Sequence, residues 1–544
     1  MSYIDGIKQD EALFNIISER SDCYINDEGE LCVYVPDAPA GTFDDVIDKL
    51  RESTTAFGGR FYGCEPRIVV VDKEAVSDAV QNIKMDSEAT SQNNDTENTE
   101  SLLQLKRLLE IAANQGISDI HLKLIEEKSI TEVNKRVDGR FSKMMENQSI
   151  EYGKNIGSGA TVTLGGKQEY AISAQIDVTF KMAVGIKRKG DNGSTIVINK
   201  SIKWRFSQIP LDDGAKITIR NLDTGSGKIP SLRELGLSKG HERAFKQVVN
   251  SAQGSLFMSG PTGSGKTTTI NSALSTVDDT KVIHSLEDPV EFHRTGRNHF
   301  ATNVVESYID PKTKQRTKSF EVYGAVLLRH DSNGLYFGEI RTKGAAACYM
   351  RLASTGQVML GTIHCNSAIA TITTVAEQLG VPTSQLASPG ILSALAHQRL
   401  VRTLCPKCKI SHKDAPKYFV EDPTLEMAYK AVETIGEQQE KSVDSVYYRN
   451  DIGGMCSECE GTGEKGRTAL FEIIMVDDKG REFIRELRLS EWKQYLESQG
   501  WPSIREHAEL KLLAGILDYR SVAEEVDGLV KQDLKGLYQE MREI

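Results

Sequence analysis

A glycine-rich segment near the middle of the chain could bind phosphate. Residues 260–267 read Gly-Pro-Thr-Gly-Ser-Gly-Lys-Thr and fit the pattern G-x-x-x-x-G-K-[ST] in full. An apolar, strand-like run precedes them, and a helical pattern follows from Thr268 to Leu274. Glycines let backbone N–H groups close around phosphates, and the start of a helix adds partial positive charge. The pattern predicts a nucleotide site made of Gly260, Pro261, Thr262, Gly263, Ser264, Gly265, Lys266, Thr267 and Thr268.

Two side chains of this segment have predicted chemical roles. Lys266 should reach the β- and γ-phosphates of ATP, and the hydroxyl of Thr267 should ligate Mg²⁺. The alternative is a glycine-rich turn that carries a surface lysine. The strand pattern before the segment and the helix pattern after it favour the phosphate site.

Acidic residues follow two other strand-like runs. Glu287 and Glu291 come after Val282–Leu286, and Glu339 comes after residues 335–338. Residues at the carboxyl ends of parallel strands face the crevice in which ligands bind. We therefore expect these carboxylates near the nucleotide, where they could hold a metal ion or orient water. The alternative is that each one caps a helix or lies in a loop.

Four of the nine cysteines form two Cys-x-x-Cys pairs, made of Cys405 with Cys408 and Cys456 with Cys459. Two such pairs can place four thiolates tetrahedrally around Zn²⁺, and a set of four protein ligands predicts a structural site. A disulfide or a redox pair is the alternative, which a reducing cytoplasm disfavours. The intervening residues 409–455 are long for a compact zinc ribbon, so we expect them to loop out.

The composition is that of a soluble globular protein. The 544 residues are 39% hydrophobic and 26% charged, and this length suggests about three domains. A formal net charge of −11 disfavours a broadly basic surface for nucleic acid. No apolar run approaches the length of a membrane span, and the first residues show no secretory signal. These features predict a cytoplasmic protein whose membrane contact is peripheral.

Changes of pattern divide the chain into four segments. Residues 1–84 are predicted to form a small α+β module, and the polar, acidic residues 85–101 a disordered linker, because they offer little to bury. Residues 102–237 begin with an amphipathic helix pattern and continue with strand-like alternation. Residues 238–544 alternate short apolar strands with helices and include the cysteine element at 405–459. That alternation predicts an α/β domain with a parallel sheet.

These residues together resemble the secretion-motor ATPases of type II secretion and type IV pilus assembly. The resemblance covers roughly residues 101–530 and rests on several motifs in the same order. They correspond to parts of that family's N-terminal domain, its aspartate box, its Walker B segment and its histidine box. The motifs are Ser118-Asp-Ile-His121, Arg136-Val-Asp-Gly139, Arg205-Phe-Ser207, Arg220, Glu287-Asp-Pro-Val-Glu291, Leu328-Arg-His-Asp331, Gly338-Glu339-Ile-Arg341 and Thr362-Ile-His364.

The resemblance implies a fold and roles for individual residues. The fold would be a RecA-like P-loop ATPase domain preceded by a sheet-rich, PAS-like α+β domain and the small N-terminal module. Glu339 would be the catalytic base, and His364 the second histidine of the histidine box. Arg205 and Arg220 would reach the γ-phosphate as the N-terminal domain closes, in the manner of an arginine finger. Judged by pattern alone, the arginines could be ordinary sheet-surface residues, and the histidine a hydrogen-bonded core residue.

Three positions depart from the family pattern. Asp331-Ser-Asn333 stands where the family usually has Asp-Pro-Asp, Thr342 stands in place of an aspartate, and Gln357 in place of a first histidine. Because Glu339 and His364 are present, we expect hydrolysis to persist, slowly or with altered coupling.

By the same resemblance, the protein is expected to be a homo-hexameric ATPase at the inner face of the bacterial inner membrane, nearest the tetracysteine secretion and pilus-extension branch. It would power assembly of a type IV-type pilus or a type II secretion pseudopilus, with ATP, Mg²⁺ and structural Zn²⁺ as cofactors. Its partners would be further copies of the chain, an inner-membrane platform protein, and a membrane-associated protein docked on residues 1–84; no nucleic acid is expected. Two alternatives remain at this point: a nucleic-acid-translocating RecA-like motor, and a nucleotide-switched assembly scaffold with little turnover.

Overall fold

A computed structural model of the chain consists of two compact units. Unit 1 comprises Met1–Val137 and Phe141–Leu222, and unit 2 comprises Asp138–Arg140 and Asp223–Ile544. Among the residues that the structure describes, no helix is long and apolar enough to cross a membrane. The described residues are 23–26, 30–34, 43–55, 68–71, 76, 95–164, 170–189, 195–222, 229–292, 298–306, 308–310, 312, 314–451, 456–529 and 534–542.

The first part of unit 1 is a small α+β module. Its elements are β1 (Cys23–Ile25), β2 (Leu31–Val33), α1 (Asp44–Thr55) and β3 (Ile68–Val70). The central strand β2 pairs antiparallel with β1 and parallel with β3. The side chains of all three β2 residues are buried, so the short sheet has an apolar centre.

The second part of unit 1 is a seven-stranded sheet with two helices. The elements are α2 (Asp95–Asn114), β4 (Asp119–Ile125), β5 (Ile130–Val137), β6 (Arg140–Lys143), β7 (Gln148–Ser149), α3 (Ile150–Ser158), β8 (Ile176–Lys189), β9 (Thr195–Leu211) and β10 (Gly214–Asn221). The strand order is β6-β5-β4-β10-β9-β8, with β7 paired to β5. Leu105 and Leu109 of α2 and Ile156 of α3 share one buried cluster with alternate residues of the strands, which fixes the helices to the sheet.

Helix α2 begins at Asp95, seven residues before the predicted helix start at Leu102. The backbone of residues 95–101 continues the same helix without a break. Residues 95–101 of the predicted linker are therefore helical, whereas residues 85–94 lie outside the described part of the chain.

Unit 2 is built on a parallel sheet. Its strands are β11 (Gly254–Ser259), β12 (Ile283–Glu287), β13 (His299–Asn303), β14 (Gly334–Phe337), β15 (Val358–Ile363), β16 (Leu392–Leu404), β17 (Ile410–Ser411), β18 (Tyr447–Tyr448) and β19 (Glu464–Met475). The main sheet has the order β13-β12-β14-β15-β11-β16-β19, and only β19 runs antiparallel to its neighbour. The predicted parallel sheet is thus confirmed.

Helices pack against both faces of this sheet. The α-helices that the structure describes in unit 2 are α4 (Lys239–Val249), α5 (Lys266–Leu274), α6 (Phe320–Leu327), α7 (Lys343–Ala353), α8 (Ala370–Thr373), α9 (Thr383–Leu386), α10 (Pro423–Gln438), α11 (Asp478–Arg485), α12 (Leu489–Ser498), α13 (Ile504–Leu513), α14 (Tyr519–Ala523) and α15 (Leu534–Glu540). Along β11, Leu256 and Met258 belong to one buried cluster and Phe257 to the other, because successive side chains of a strand point to opposite faces. All six β11 residues are buried, as expected for a strand covered on both faces.

The segment between the two cysteine pairs is folded and does not loop out as expected. It contains β17, α10 and β18, and its apolar residues form a small core of their own. Val432 of α10 and Tyr448 of β18 lie in this core together with Leu512 and Leu513 of α13. The residues that were expected to form a loop instead include helix α10, which has a buried face of its own.

Candidate functional site

The P-loop, residues 260–267, joins β11 to α5, as its sequence pattern predicts. Gly260, Gly263 and Gly265 have φ angles of 151°, 77° and 84°, which glycine adopts without steric cost. A Cβ atom on Gly260 would lie 2.4 Å from the carbonyl oxygen of Gln398. The loop therefore requires glycine both for its backbone conformation and for close packing, and its residues fit a cradle for phosphate.

Lys266 is buried in the first turn of α5, with 8% of its surface exposed. Its Nζ atom donates hydrogen bonds to the carbonyl oxygens of Gly260 (2.8 Å) and Pro261 (3.0 Å). Burial lowers the pKa of this ammonium group to about 8, although the negative charge of Glu339 opposes the shift. An ammonium group with so little solvation gains stability when an anion approaches it.

A cavity of about 90 Å³ lies beside the P-loop, with room for several water-sized groups. Thr267 lines it together with five acidic residues. Hydroxyl and carboxylate oxygens are the ligands that Mg²⁺ prefers, so the donor set fits the predicted magnesium ion. The acidic residues are Glu287, Asp288, Glu291, Glu306 and Glu339.

Glu339 follows β14 and lies in this cavity. Its Oε1 atom is 2.8 Å from Nε2 of His364, and Arg341 donates a hydrogen bond to its Oε2 atom. Burial acts to raise the pKa of Glu339, but the hydrogen bond and charge of Arg341 lead the opposing effects, and the pKa is lowered overall. Burial, with the charge of Lys266, lowers the pKa of His364. At neutral pH an anionic carboxylate thus lies beside a neutral imidazole, a pair able to orient and deprotonate a water molecule.

Glu287 and Glu291, which were predicted near the nucleotide, both line the cavity. Glu287 is 2% exposed at the end of β12 and accepts a 2.6 Å hydrogen bond from the hydroxyl of Ser285. Glu306 also lines the cavity, although no sequence pattern singled it out. It lies between β13 and α6 and accepts a 3.0 Å hydrogen bond from the backbone N–H of Phe320. No local pattern marks such a residue, because its position depends on how the connection folds back.

Arg205 and Arg220 lie in unit 1, directly opposite each other on β9 and β10. Arg205 donates two hydrogen bonds to Asp177, of 2.9 and 2.6 Å, and Arg220 donates one of 2.6 Å to Asp119. Directly opposite residues share one face of a sheet, so the two arginine side chains lie on the same face. Both side chains of the Arg205–Asp177 pair are about half exposed, and an exposed ion pair contributes little to stability, so Arg205 could exchange its aspartate for a phosphate at low cost. Asp119 is only 7% exposed, so release of Arg220 would leave a buried carboxylate without this partner and would cost more.

Comparison with known proteins identifies the family. The family model described as "Type II/IV secretion system protein" matches residues 92–527, most of the chain. The chain belongs to this family. One relative, Type II secretion system protein E of Pseudomonas aeruginosa, is 29% identical over 424 residues, which are 77% of this chain and 74% of the relative. Another, Type IV pilus assembly ATPase PilB of Thermus thermophilus, is 27% identical over 495 residues, 89% of this chain and 48% of the relative.

Among solved structures, the Legionella pneumophila ATPase DotB has the same fold. The structural match covers 78% of this chain and 96% of the DotB chain, with 17% sequence identity and a TM-score of 0.50. The predicted fold class, a RecA-like ATPase domain with a preceding sheet-rich domain, is confirmed. This member of the Type II/IV secretion family accordingly belongs among secretion and pilus-assembly ATPases, and the nucleic-acid motor is not favoured.

The four predicted metal ligands of this family member lie together in unit 2. The Sγ atoms of Cys405 and Cys456 are 4.0 Å apart, those of Cys408 and Cys459 are 3.6 Å apart, and all four lie within 4.8 Å of one another. Zn–S bonds of about 2.3 Å in a tetrahedron separate the sulfur atoms by about 3.8 Å. The separations exceed a disulfide bond of about 2.0 Å. The donor set and its spacing therefore fit a structural zinc ion.

Replacement of Cys405 by Ser is expected to remove the zinc. We expect one Zn²⁺ per chain in the wild-type protein and about a tenth of that content or less in the variant, because three thiolates hold zinc far more weakly than four. Inductively coupled plasma emission spectroscopy would measure the zinc content. The unfolding temperature should fall as well, since the zinc ion would tie together the two chain segments that flank the small core of β17, α10 and β18. Cys365→Ser is the matched control, because its Sγ lies 3.3 Å from the hydroxyl of Thr374 and outside the cluster. Unchanged zinc content in Cys405→Ser would contradict the assignment.

Proposed function

We propose that this chain is an ATPase motor that powers assembly of a type IV-type pilus or of a type II secretion pseudopilus. The similarity to relatives named as secretion proteins and pilus assembly ATPases supports the class. The observation that carries the proposal is the position of Glu339, which contacts His364 and lines the same cavity as Thr267 of the P-loop. A carboxylate placed beside a phosphate-binding loop can activate water for attack on the γ-phosphate.

The P-loop backbone and Lys266 would bind the β- and γ-phosphates. Thr267, Glu287 and Glu291 would hold Mg²⁺, which supplies positive charge to the phosphates when bound. Because the cavity is strongly acidic, nucleotide binding without the metal would place phosphate beside unscreened carboxylates. Hydrolysis should therefore depend on Mg²⁺.

Glu339 would accept the proton of the attacking water, and His364 would hold the carboxylate in position. Arg205 and Arg220 would offset the charge that develops on the γ-phosphate. For this they would exchange their aspartate partners for phosphate.

The departures from the family pattern keep the local geometry that an aspartate would provide. The hydroxyl of Thr342 caps helix α7 by accepting a 3.1 Å hydrogen bond from the N–H of Ala345, a role that aspartate shares. Asn333 Oδ1 accepts a 2.8 Å hydrogen bond from the N–H of Val282, which a carboxylate oxygen could also accept. Both substitutions leave Glu339 in the cavity, so they are compatible with a working ATPase.

The assembly and location remain part of the proposal. We propose a homo-hexamer that acts on an inner-membrane platform protein from the cytoplasmic side, with the small α+β module of unit 1 bound to a membrane-associated partner. The similarity to secretion and pilus-assembly ATPases supports this arrangement. Structural Zn²⁺ would hold the 405–459 element in each subunit.

Purified full-length protein is expected to release phosphate from ATP with Mg²⁺ and not when EDTA replaces the metal. Released phosphate would be measured by a coupled colorimetric assay, and the oligomeric state by analytical ultracentrifugation. DNA should leave the rate unchanged. ADP binding without phosphate release would favour the nucleotide-switched scaffold, and DNA-stimulated release would favour the nucleic-acid motor.

A further inference from the structure

Gln398 contacts the P-loop from a neighbouring strand. It lies on β16, which runs parallel to β11, and the register pairs Ser259 with His397, so Gln398 stands alongside the first residue of the P-loop. Its side chain is buried, with 1% of the residue exposed. A buried amide of this kind needs hydrogen-bond partners. In this protein both partners belong to the P-loop and the helix that follows it.

The side-chain amide of Gln398 spans two points of this segment. Its Nε2 atom donates a 2.6 Å hydrogen bond to the carbonyl oxygen of Ser264, and its Oε1 atom accepts a 2.8 Å hydrogen bond from the hydroxyl of Thr269. A Cβ atom on Gly265 would lie only 2.9 Å from the same Nε2 atom. The glutamine is thus packed directly against the last peptide groups before Lys266.

The bond to the Ser264 carbonyl sets the direction of the next N–H group. In a planar trans peptide the C=O and the following N–H point in opposite directions, so the N–H of Gly265 points away from Gln398. Glycine accepts positive and negative φ with similar ease, and the Ser264–Gly265 peptide could therefore turn over at low steric cost. Gln398 holds the carbonyl on its own side and prevents that rotation.

We propose that Gln398 is a positioning residue that keeps the N–H of Gly265 directed at the nucleotide phosphates. This inference rests on the proposed nucleotide site, in which backbone N–H groups of the P-loop bind phosphate. Gln398 acts through the loop and does not touch the nucleotide. Its loss should therefore weaken nucleotide binding more than it slows the chemical step.

The test compares two Gln398 variants in the full-length protein with Mg²⁺. Gln398→Met has a similar length and makes neither hydrogen bond, and Gln398→Glu keeps the bond from the Thr269 hydroxyl but cannot donate to Ser264. For both, the dissociation constant of ADP, measured by calorimetry, and the KM for ATP should rise about tenfold, while kcat changes less than about threefold.

Two control variants separate this role from general destabilisation. Thr269→Val removes only the second hydrogen bond and should leave the ADP affinity within about twofold of the wild type. Gln208→Met alters another buried glutamine, which donates to three backbone carbonyls in unit 1, and should lower the unfolding temperature without changing ADP affinity.

Unchanged KM and ADP affinity in both Gln398 variants would overturn the inference, as would an equal loss of affinity in Gln208→Met. If Gln398→Met does not fold, the inference is tested with Gln398→Glu alone. Its KM for ATP should then exceed that of the Thr269→Val variant, and equal KM values would overturn the inference. Failure of the wild-type protein to bind ADP would refute the proposed function itself, which is a distinct result.

Discussion

Replacement of Glu339 by Gln is expected to lower kcat for ATP hydrolysis by about 100-fold or more and to leave ADP affinity within about threefold of the wild type. The amide has the shape of the carboxylate but cannot accept a proton from water. The pKa of Glu339 is lowered mainly because the contacts with Arg341 and nearby positive charge outweigh its burial, so the wild-type residue is ionised at neutral pH. Steady-state phosphate release and calorimetric ADP binding would measure the two quantities.

Glu321→Gln is the matched control for this variant. Glu321 lies on α6 and its Oε1 atom is 3.4 Å from the Thr342 hydroxyl, outside the residues that line the cavity. The same loss of one negative charge there should change kcat less than about threefold. A kcat of Glu339→Gln near the wild-type value would exclude Glu339 as the base. An equal loss in both variants would attribute the effect to overall charge.

Replacement of Lys266 by Ala is expected to weaken ADP binding by about 100-fold or more. The variant removes the ammonium group that the P-loop carbonyls of Gly260 and Pro261 hold beside the phosphate cradle. Calorimetry with ADP and Mg²⁺ would measure the loss. Wild-type affinity in this variant would show that the segment is a glycine-rich turn with a buried lysine and not a phosphate site.

The same lysine predicts the pH dependence of binding in the wild-type protein. Burial lowers the pKa of Lys266 to about 8 in the free protein, and a bound phosphate would raise it again. Only the protonated form binds phosphate well, so affinity should be constant well below pH 8. It should fall about tenfold per pH unit above pH 8.

Lys511→Met is the control for this profile. Lys511 is also buried with a pKa lowered by burial to about 8, but it donates to Thr468 and to the carbonyl of Ala469, away from the P-loop. The variant should keep the wild-type decline of ADP affinity above pH 8. Loss of that decline in Lys511→Met, or no decline in the wild type, would contradict the assignment to Lys266.

Features encoded by neighbouring residues could be predicted from the sequence. The P-loop pattern, the buried strand β11 before it and the helix α5 after it are properties of consecutive side chains, and all three lie where the pattern predicts. The parallel sheet follows from the same kind of local alternation. Placement of Glu287 and Glu339 at the strand ends followed from a general property of such sheets, and both line the cavity.

Local pattern was a weaker guide where polar residues were concerned. The polar composition of residues 95–101 suggested a linker, but their backbone is the start of helix α2, which continues into the buried apolar face at Leu105 and Leu109. The long segment between the cysteine pairs suggested a loop but has its own buried core, which depends on contacts with Leu512 and Leu513 far along the chain.

The sequence by itself determined the phosphate-binding segment, the sheet class, the four clustered cysteines and the family. Only the tertiary structure decided which side chains meet: His364 with Glu339, Arg205 with Asp177, and Gln398 with the P-loop carbonyl of Ser264. These partners are separated by tens to more than a hundred residues, and each contact exists only because two strands, or the segments that follow them, lie side by side in a sheet. In the proposed phosphate site, such contacts fix the orientation of groups whose identity and order the local pattern supplies.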